Sequence, residues 1–223
     1  MAKLPDVLLL DTRANQPVAT SVSPGTLYSV TDEDNLIEQS DGTVWTQYGP
    51  TPNVVASGLV FIEETTPTGT STSFSSLGSY RHLRIEYSAR GDQAATSTLV
   101  GITFNGDTGA NYDRQVMNGA ATTVTAGEAL AATSAQAIVV SAASAASGNV
   151  GVGTIEILDY RGTTFHKGGT VTLGYKTSNS TGGFNVRTST FAWRSTSAIT
   201  SITLTLASGN FVTGSKFTLY GLA

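Results

Sequence analysis

The chain has 223 residues, a formal net charge of -4, 13% charged residues and no cysteine. Length allows one large domain with a small annex, and the missing cysteines exclude disulfides and thiolate metal sites. The acidic balance lacks the concentrated basic surface that nucleic acid needs, and no apolar run approaches the roughly 18 residues of a spanning helix.

Residues 1–48 read as an N-terminal arm and anchoring module. Pro5, Pro17 and Pro24 keep the first two dozen residues extended. Leu8-Leu9-Leu10 is too short for the core of a signal peptide, which predicts synthesis in a cytoplasm without export. A strand follows at 25–32. Leu36–Ser40 and Thr43–Tyr48 then flank Asp41-Gly42, a type I′ hairpin signal. Three short strands form a meander too small for a good core. Leu27, Tyr28, Leu36, Val44 and Trp45 are therefore the candidate partner-docking residues. Two prolines mark 49–53 as a linker.

Residues 54–223 read as a β-sandwich. Strands are expected at Leu59–Glu63, Arg81–Ser88 and Thr98–Phe104, with Phe74 and Leu77 anchoring the polar stretch between the first two. In Arg81–Ser88, Leu83, Ile85 and Tyr87 alternate with polar residues, the period of a half-buried strand. The Ala/Ser/Thr-rich segment 119–148 is expected to hold a short helix near Glu128–Ala135 and a strand at Gln136–Ser141. Further strands follow at Gly153–Asp159, Thr170–Lys176 and Phe184–Trp193. The alternation of Ile202, Leu204 and Leu206, and then of Phe217 and Leu219, closes the sheet. Eight or nine short strands with almost no helix predict an all-β antiparallel sandwich of jelly-roll type.

Chemistry-bearing patterns are sparse. His82 and His166 are the two histidines, and no nucleophile-elbow pattern accompanies either. Asn105, Asp107, Asn111 and Asp113 cluster in a Gly-rich loop. Oxygen ligands on a tight turn suit Ca²⁺, but Asx residues beside glycine are also ordinary turn chemistry, and the turn is the default. Arg90-Gly91-Asp92 spells the integrin-binding tripeptide and reads as a turn after a strand. Glu63/Glu64 is a poor carboxylate dyad, because neighbours in a strand face opposite ways. Tyr112, Tyr160, Phe165 and Phe184 fall at strand ends or in loops, where aromatics stack on sugar rings or pack at subunit boundaries. No cofactor is expected.

Two sets of residues together resemble tailed-bacteriophage virion structural proteins. One runs from Gly25-Thr-Leu-Tyr-Ser-Val-Thr-Asp32 through Leu36-Ile-Glu-Gln-Ser-Asp-Gly-Thr-Val-Trp45, similar to a hairpin module near the N-termini of such proteins. The other comprises Tyr80-Arg-His-Leu-Arg84, Ala89-Arg-Gly-Asp92, Phe104–Asp113, Ile157-Leu-Asp-Tyr160, Trp193-Arg-Ser-Thr196 and Asn210–Gly221, similar to a β-rich virion domain. The resemblance implies a non-enzymatic protein at the particle surface, with no catalytic residues. As a capsid decoration or cement protein it would dock on the major capsid protein through its N-terminal region, as a homotrimer. As a tail fibre, spike or baseplate appendage it would dock on tail proteins and bind host glycan.

Overall fold

A computed structural model describes residues 8–32, 36–48 and 58–222. The chain divides into two compact units, Met1–Ala56 and Ser57–Ala223. The expected linker at 49–53 lies outside the described residues.

The first unit is a four-stranded sheet in the order β1-β2-β3-β4: β1 Leu8–Asp11, β2 Leu27–Val30, β3 Leu36–Ser40 and β4 Trp45–Gln47. The three-strand meander expected here gains β1, which pairs in parallel with β2. The return between them is not uniformly extended, since it contains two 3-10 turns, Arg13–Asn15 and Ala19–Ser21. Glu38 accepts from both Arg13 and Gln16 at 2.6 Å, fastening this return to β3. The β3–β4 connection is not the two-residue type I′ turn expected of Asp-Gly. Ser40 pairs with Trp45, which leaves a four-residue loop. Only Gly42 in it has positive φ, whereas type I′ requires it at both central residues. The Asp41 carboxylate closes the loop instead, accepting from the N–H groups of Thr43 and Val44.

The second unit contains twelve strands: β5 Val60–Thr65, β6 Ser71–Phe74, β7 His82–Ala89, β8 Ser97–Phe104, β9 Tyr112–Ala120, β10 Thr123–Ala132, β11 Ala135–Ser141, β12 Gly151–Leu158, β13 Lys167–Lys176, β14 Phe184–Trp193, β15 Ile202–Leu206 and β16 Lys216–Leu222. An eight-stranded sheet runs β10-β9-β14-β13-β12-β7-β16-β5, and a four-stranded sheet runs β11-β8-β15-β6. All the pairings within these two sheets are antiparallel. The protein is all-β, as expected, with one apolar cluster drawing on both sheets. Eight and four strands do not match the eight in all of a jelly roll.

Alternation explains why these residues form these strands. In β7, Leu83, Ile85, Tyr87 and Ala89 are buried and the residues between them are half exposed. Ile202, Leu204 and Leu206 of β15 do the same opposite β8. Burying each such side chain contributes about 1.5–3 kcal/mol before chain entropy is counted. The final strand is an interior strand of the large sheet, held between β7 and β5. Its Phe217 stacks on Tyr87 at 5.7 Å and meets Phe211 edge-on at 5.2 Å.

The helix expected at Glu128–Ala135 is absent. Thr123–Ala132 is a strand paired with β9 across the two-residue turn Ala121-Thr122. Alanine favours helix intrinsically, but that preference is only tenths of a kcal/mol per residue, and pairing overrides it. A bulge between Ala129 and Ala132 bends the strand, with Ala131 at φ 53° and its N–H donating to the Asp113 carboxylate.

Candidate functional site

The outward face of the large sheet is the most distinctive surface of the second unit. It is built by the register of β10, β9, β14, β13 and β12. One transverse row holds Val124, Gly119, Val186, Gly174 and Val152. The next holds Ala126, Met117, Thr188, Thr172 and Thr154. Neither row carries a charge. The row after these carries Glu128 and Glu156 at its two ends, Lys176 pairs with Phe184 on the other side, and beyond β12 Arg84 meets Glu86 and Glu156, and Lys216 meets Glu64 at 2.9 Å. Five strands at about 4.8 Å spacing and two rows about 7 Å apart give an uncharged band about 19 Å long, apolar in its first row and largely threonine in its second.

Strand β14 shows why the face is apolar. Phe191 and Trp193 must lie inside, and a period of two then places Ser189, Arg187 and Asn185 inside with them. The opposite parity turns Phe184 and Val186 outward, 63% and 55% exposed. The strand thus presents its apolar residues to solvent at one end and buries its polar ones. Arg187 is only 8% exposed. It donates to Ser189 Oγ at 3.3 Å and the Gln136 carbonyl at 3.4 Å, and forms no ion pair among the described residues. Burial, and then the nearby Arg114, lower its pKa.

Three open depressions mark the face. One, of about 350 Å³, lies beside Met117, Ala126, Thr170 and Thr188. A second, of about 460 Å³, lies beside Lys176, Thr181, Phe184 and Val186. The third, of about 210 Å³, lies beside Asp113, Glu128, Leu130 and Thr190.

The predicted aromatics separate into two pairs. Phe184 and Phe165 are exposed, Phe165 by 77%. Tyr112 and Tyr160 are buried, and their assignment as ligand-facing residues is corrected. The Tyr112 hydroxyl accepts from the Phe104 N–H at 2.9 Å and donates to the Asp107 carbonyl at 3.0 Å. Its ring stacks on Trp193, and burial pushes its pKa up to about 12. The Tyr160 hydroxyl donates to the Gly78 carbonyl at 2.8 Å. A tyrosine at a strand end turns inward at low cost when backbone groups satisfy its hydroxyl.

The Asx loop works as a structural clasp. Asp107 accepts from Trp193 Nε1 at 2.6 Å, Asn111 Nδ2 at 2.9 Å and the Gly109 N–H at 2.8 Å. These bonds, Trp193 first, hold its carboxyl below the usual range. Asn105 Oδ1 accepts from the N–H groups of Thr200 and Ser201. Asp113 is used by Ala131 and Arg194. The loop oxygens proposed for calcium are thus engaged in tying β8–β9 to β14 and β15, and among the described residues no three His, Cys, Asp or Glu side chains cluster there.

Arg90-Gly91-Asp92 is likewise engaged in hydrogen bonds within the unit, although Asp92 itself is exposed. The Arg90 guanidinium donates to the carbonyls of Ala143, Ala145, Ala146 and Asn149, and Asp92 accepts from the Asn210 N–H. His82 Nδ1 accepts from the Asp159 N–H at 2.9 Å. Among the described residues neither histidine hydrogen-bonds a Ser, Thr, Asp or Glu side chain, so no nucleophile–base pair is assembled.

In the first unit, Tyr28 is also corrected. It is buried, its hydroxyl donating to the Thr12 carbonyl at 2.9 Å and its ring 5.7 Å from Trp45. Trp45 is half-buried and donates to the Pro17 carbonyl, while Leu27 and Leu36 are half-buried. Val44 is exposed, and Leu10, Val18, Ile37 and Tyr48 join it as exposed apolar residues that the sequence reading did not single out. Their signal was present: Ile37 has the parity opposite to Leu36 in β3, and that parity is the exposed one there.

No known protein family, curated protein or solved structure matches this chain.

Proposed function

We propose that this chain is a non-enzymatic structural protein of a tailed-bacteriophage virion, a decoration or cement protein on the outer shell. The observation that carries the reading is the surface of the first unit. A sheet of four short strands exposes Leu10, Val18, Ile37, Val44 and Tyr48. So much apolar surface on so small a unit fits a module that is covered by a partner. In this reading the partner is the major capsid protein. The second unit supports the same reading, being strand-built and tied by clasps at Asp107 and Arg90. The resemblance to virion proteins points the same way.

A second reading is favoured by the exposure of Phe165 and Phe184, the latter beside Lys176 in an open depression. Outward aromatic rings beside a polar group suit sugar stacking, as on a tail appendage that binds host glycan. Cryo-EM of intact particles separates the two. Density for this chain on the head shell supports decoration, and density on the tail replaces it with the appendage reading. A glycan-array signal abolished by Phe184→Ser and Phe165→Ser also favours the appendage.

A further inference from the structure

The two sheets of the second unit have four edges, and three are guarded. The β5 edge carries Glu63 and Glu64 and a register shift against β16. The β6 edge is four residues long. The β11 strand is buried at nearly every position. Strand β10 differs from all three. It runs ten residues, carries the single charge Glu128, and is exposed along its length apart from two half-buried positions, Ala129 and Ala132. Both of its faces are open, so it overhangs the smaller sheet. A long, bare, nearly uncharged edge is a template for another strand, and natural sheets protect such edges unless they are used.

We infer that β10 pairs antiparallel with β10 of a second copy of this chain, joining two large sheets into one across a two-fold axis at Gly127. Ala120 pairs with Thr123 across a two-residue turn, so the odd-numbered residues of β10 direct their backbone groups to β9. The N–H and C=O groups of Val124, Ala126 and Glu128 therefore point to the free edge. Pairing about Gly127 sets Ala126 opposite the second copy's Glu128 in a hydrogen-bonded pair. It brings Val124 towards the second copy's Leu130 at the start of the bulge, both among the most exposed apolar side chains of the unit. The two Glu128 carboxylates are not opposed, and Gly127 meets its own copy where strands approach most closely. The regular register of β10 against β9 runs from Thr123 to Ala129, so the pairs from Thr125 to Ala129 about Gly127 fall within it and the bulge begins just beyond. A strand can pair with itself in this way only through a two-fold axis, and closed two-fold dimers are the commonest soluble oligomers. The inference does not depend on the virion reading, and it replaces the three-fold assembly expected from resemblance with a two-fold one.

Analytical ultracentrifugation of the full chain tests it, with charge placed by the register. The wild type is expected to sediment as a dimer, twice the 23.0 kDa of one chain. Ala126→Glu sets like charges opposite each other twice and is expected to weaken the dimer about tenfold, whereas Ala126→Lys sets opposite charges together and leaves it as tight or tighter. The chain has no cysteine, and a side-chain atom added at Gly127 meets nothing closer than Val116 at 3.6 Å. Gly127→Cys is therefore expected to fold and to cross-link into a covalent dimer on oxidation, while Thr205→Cys does not. A wild-type monomer at about 100 µM would overturn the inference, since a Kd above that is weaker than about -5.5 kcal/mol of association. So would a trimer, a dimer equally sensitive to both Ala126 substitutions, or a dimer in which Gly127→Cys fails to cross-link.

Discussion

Replacing Arg187 with methionine is expected to stabilise the protein. The guanidinium is buried at 8% exposure on the inner face of β14, without an ion pair among the described residues. Its two hydrogen bonds, at 3.3 and 3.4 Å, are long for charge-assisted ones. Neither acceptor is orphaned by the change. The Gln136 carbonyl keeps Arg114 Nη1 at 2.8 Å, and Ser189 Oγ still donates to the Ala137 carbonyl at 3.2 Å. The neighbouring Asn118 Oδ1 and Tyr87 hydroxyl have no partner to lose. Two bonds cost about 1–3 kcal/mol to remove, at the 0.5–1.5 kcal/mol of a typical protein hydrogen bond, and their length places them at the low end. Relief of desolvation on exchanging a buried charge for an apolar side chain of similar volume returns several kcal/mol, so the net gain is about 1–2 kcal/mol. For a unit of this size that gain raises Tm by about 2–8 °C. Differential scanning calorimetry at neutral pH, with urea unfolding as a second probe, reads it directly. A loss of more than about 1 kcal/mol would refute the reasoning, because it would mean that the guanidinium is held by a counter-charge rather than tolerated without one.

Ala121 sits at φ 50° in the β9–β10 turn, where a side chain is strained and glycine is not. Ala121→Gly is expected to add about 0.5–1 kcal/mol in chemical denaturation at unchanged m value, the glycine's extra unfolded-state freedom offsetting part of the relief. Asp107→Ala removes three hydrogen bonds and leaves a Trp193 N–H unpaired, for a loss of about 2–4 kcal/mol with a change in near-UV circular dichroism. Because those bonds depress the Asp107 pKa, its contribution is full above the unfolded carboxylate value of about 4 and fades as pH falls through the lower folded value. The wild type should therefore lose its advantage over Asp107→Ala below about pH 4, and an advantage that grows on acidification would contradict the assignment. Gly153→Ala would place its Cβ 2.6 Å from the Thr172 carbonyl oxygen, inside the β12–β13 ladder. It is expected to cost about 1–3 kcal/mol, measured as a lower denaturation midpoint.

Much of the fold is legible in residue alternation. The runs around Leu83–Tyr87, Ile202–Leu206 and Phe217–Leu219 each have one apolar parity, and each is buried on that parity. Segments without such contrast are harder. Strand β10 has small residues on both parities, so propensity for helix outweighed a pairing that only its neighbour β9 specifies. The aromatics were half legible. Phe184, on the outward parity at the start of β14, and Phe165, in the loop before β13, stay exposed. Tyr160 turns inward because the Leu77 and Gly78 carbonyls, more than eighty residues earlier, accept its hydroxyl. No local pattern carries that information. The apolar outward face could have been found from β14 alone, since Phe184 and Val186 share a parity that Phe191 and Trp193 exclude from the core.

As proposed above, the protein is a fixed, strand-built part of a virus particle, attached through its first unit. Cryo-EM of purified particles, compared with particles carrying Ile37→Asp and Val44→Asp, separates attachment from its absence. Density for the chain is expected on the outer head shell, with the first unit at the contact, and is expected to be lost in the doubly substituted particles. Particles that lack the protein altogether, or that retain it at full occupancy with both substitutions, would contradict it.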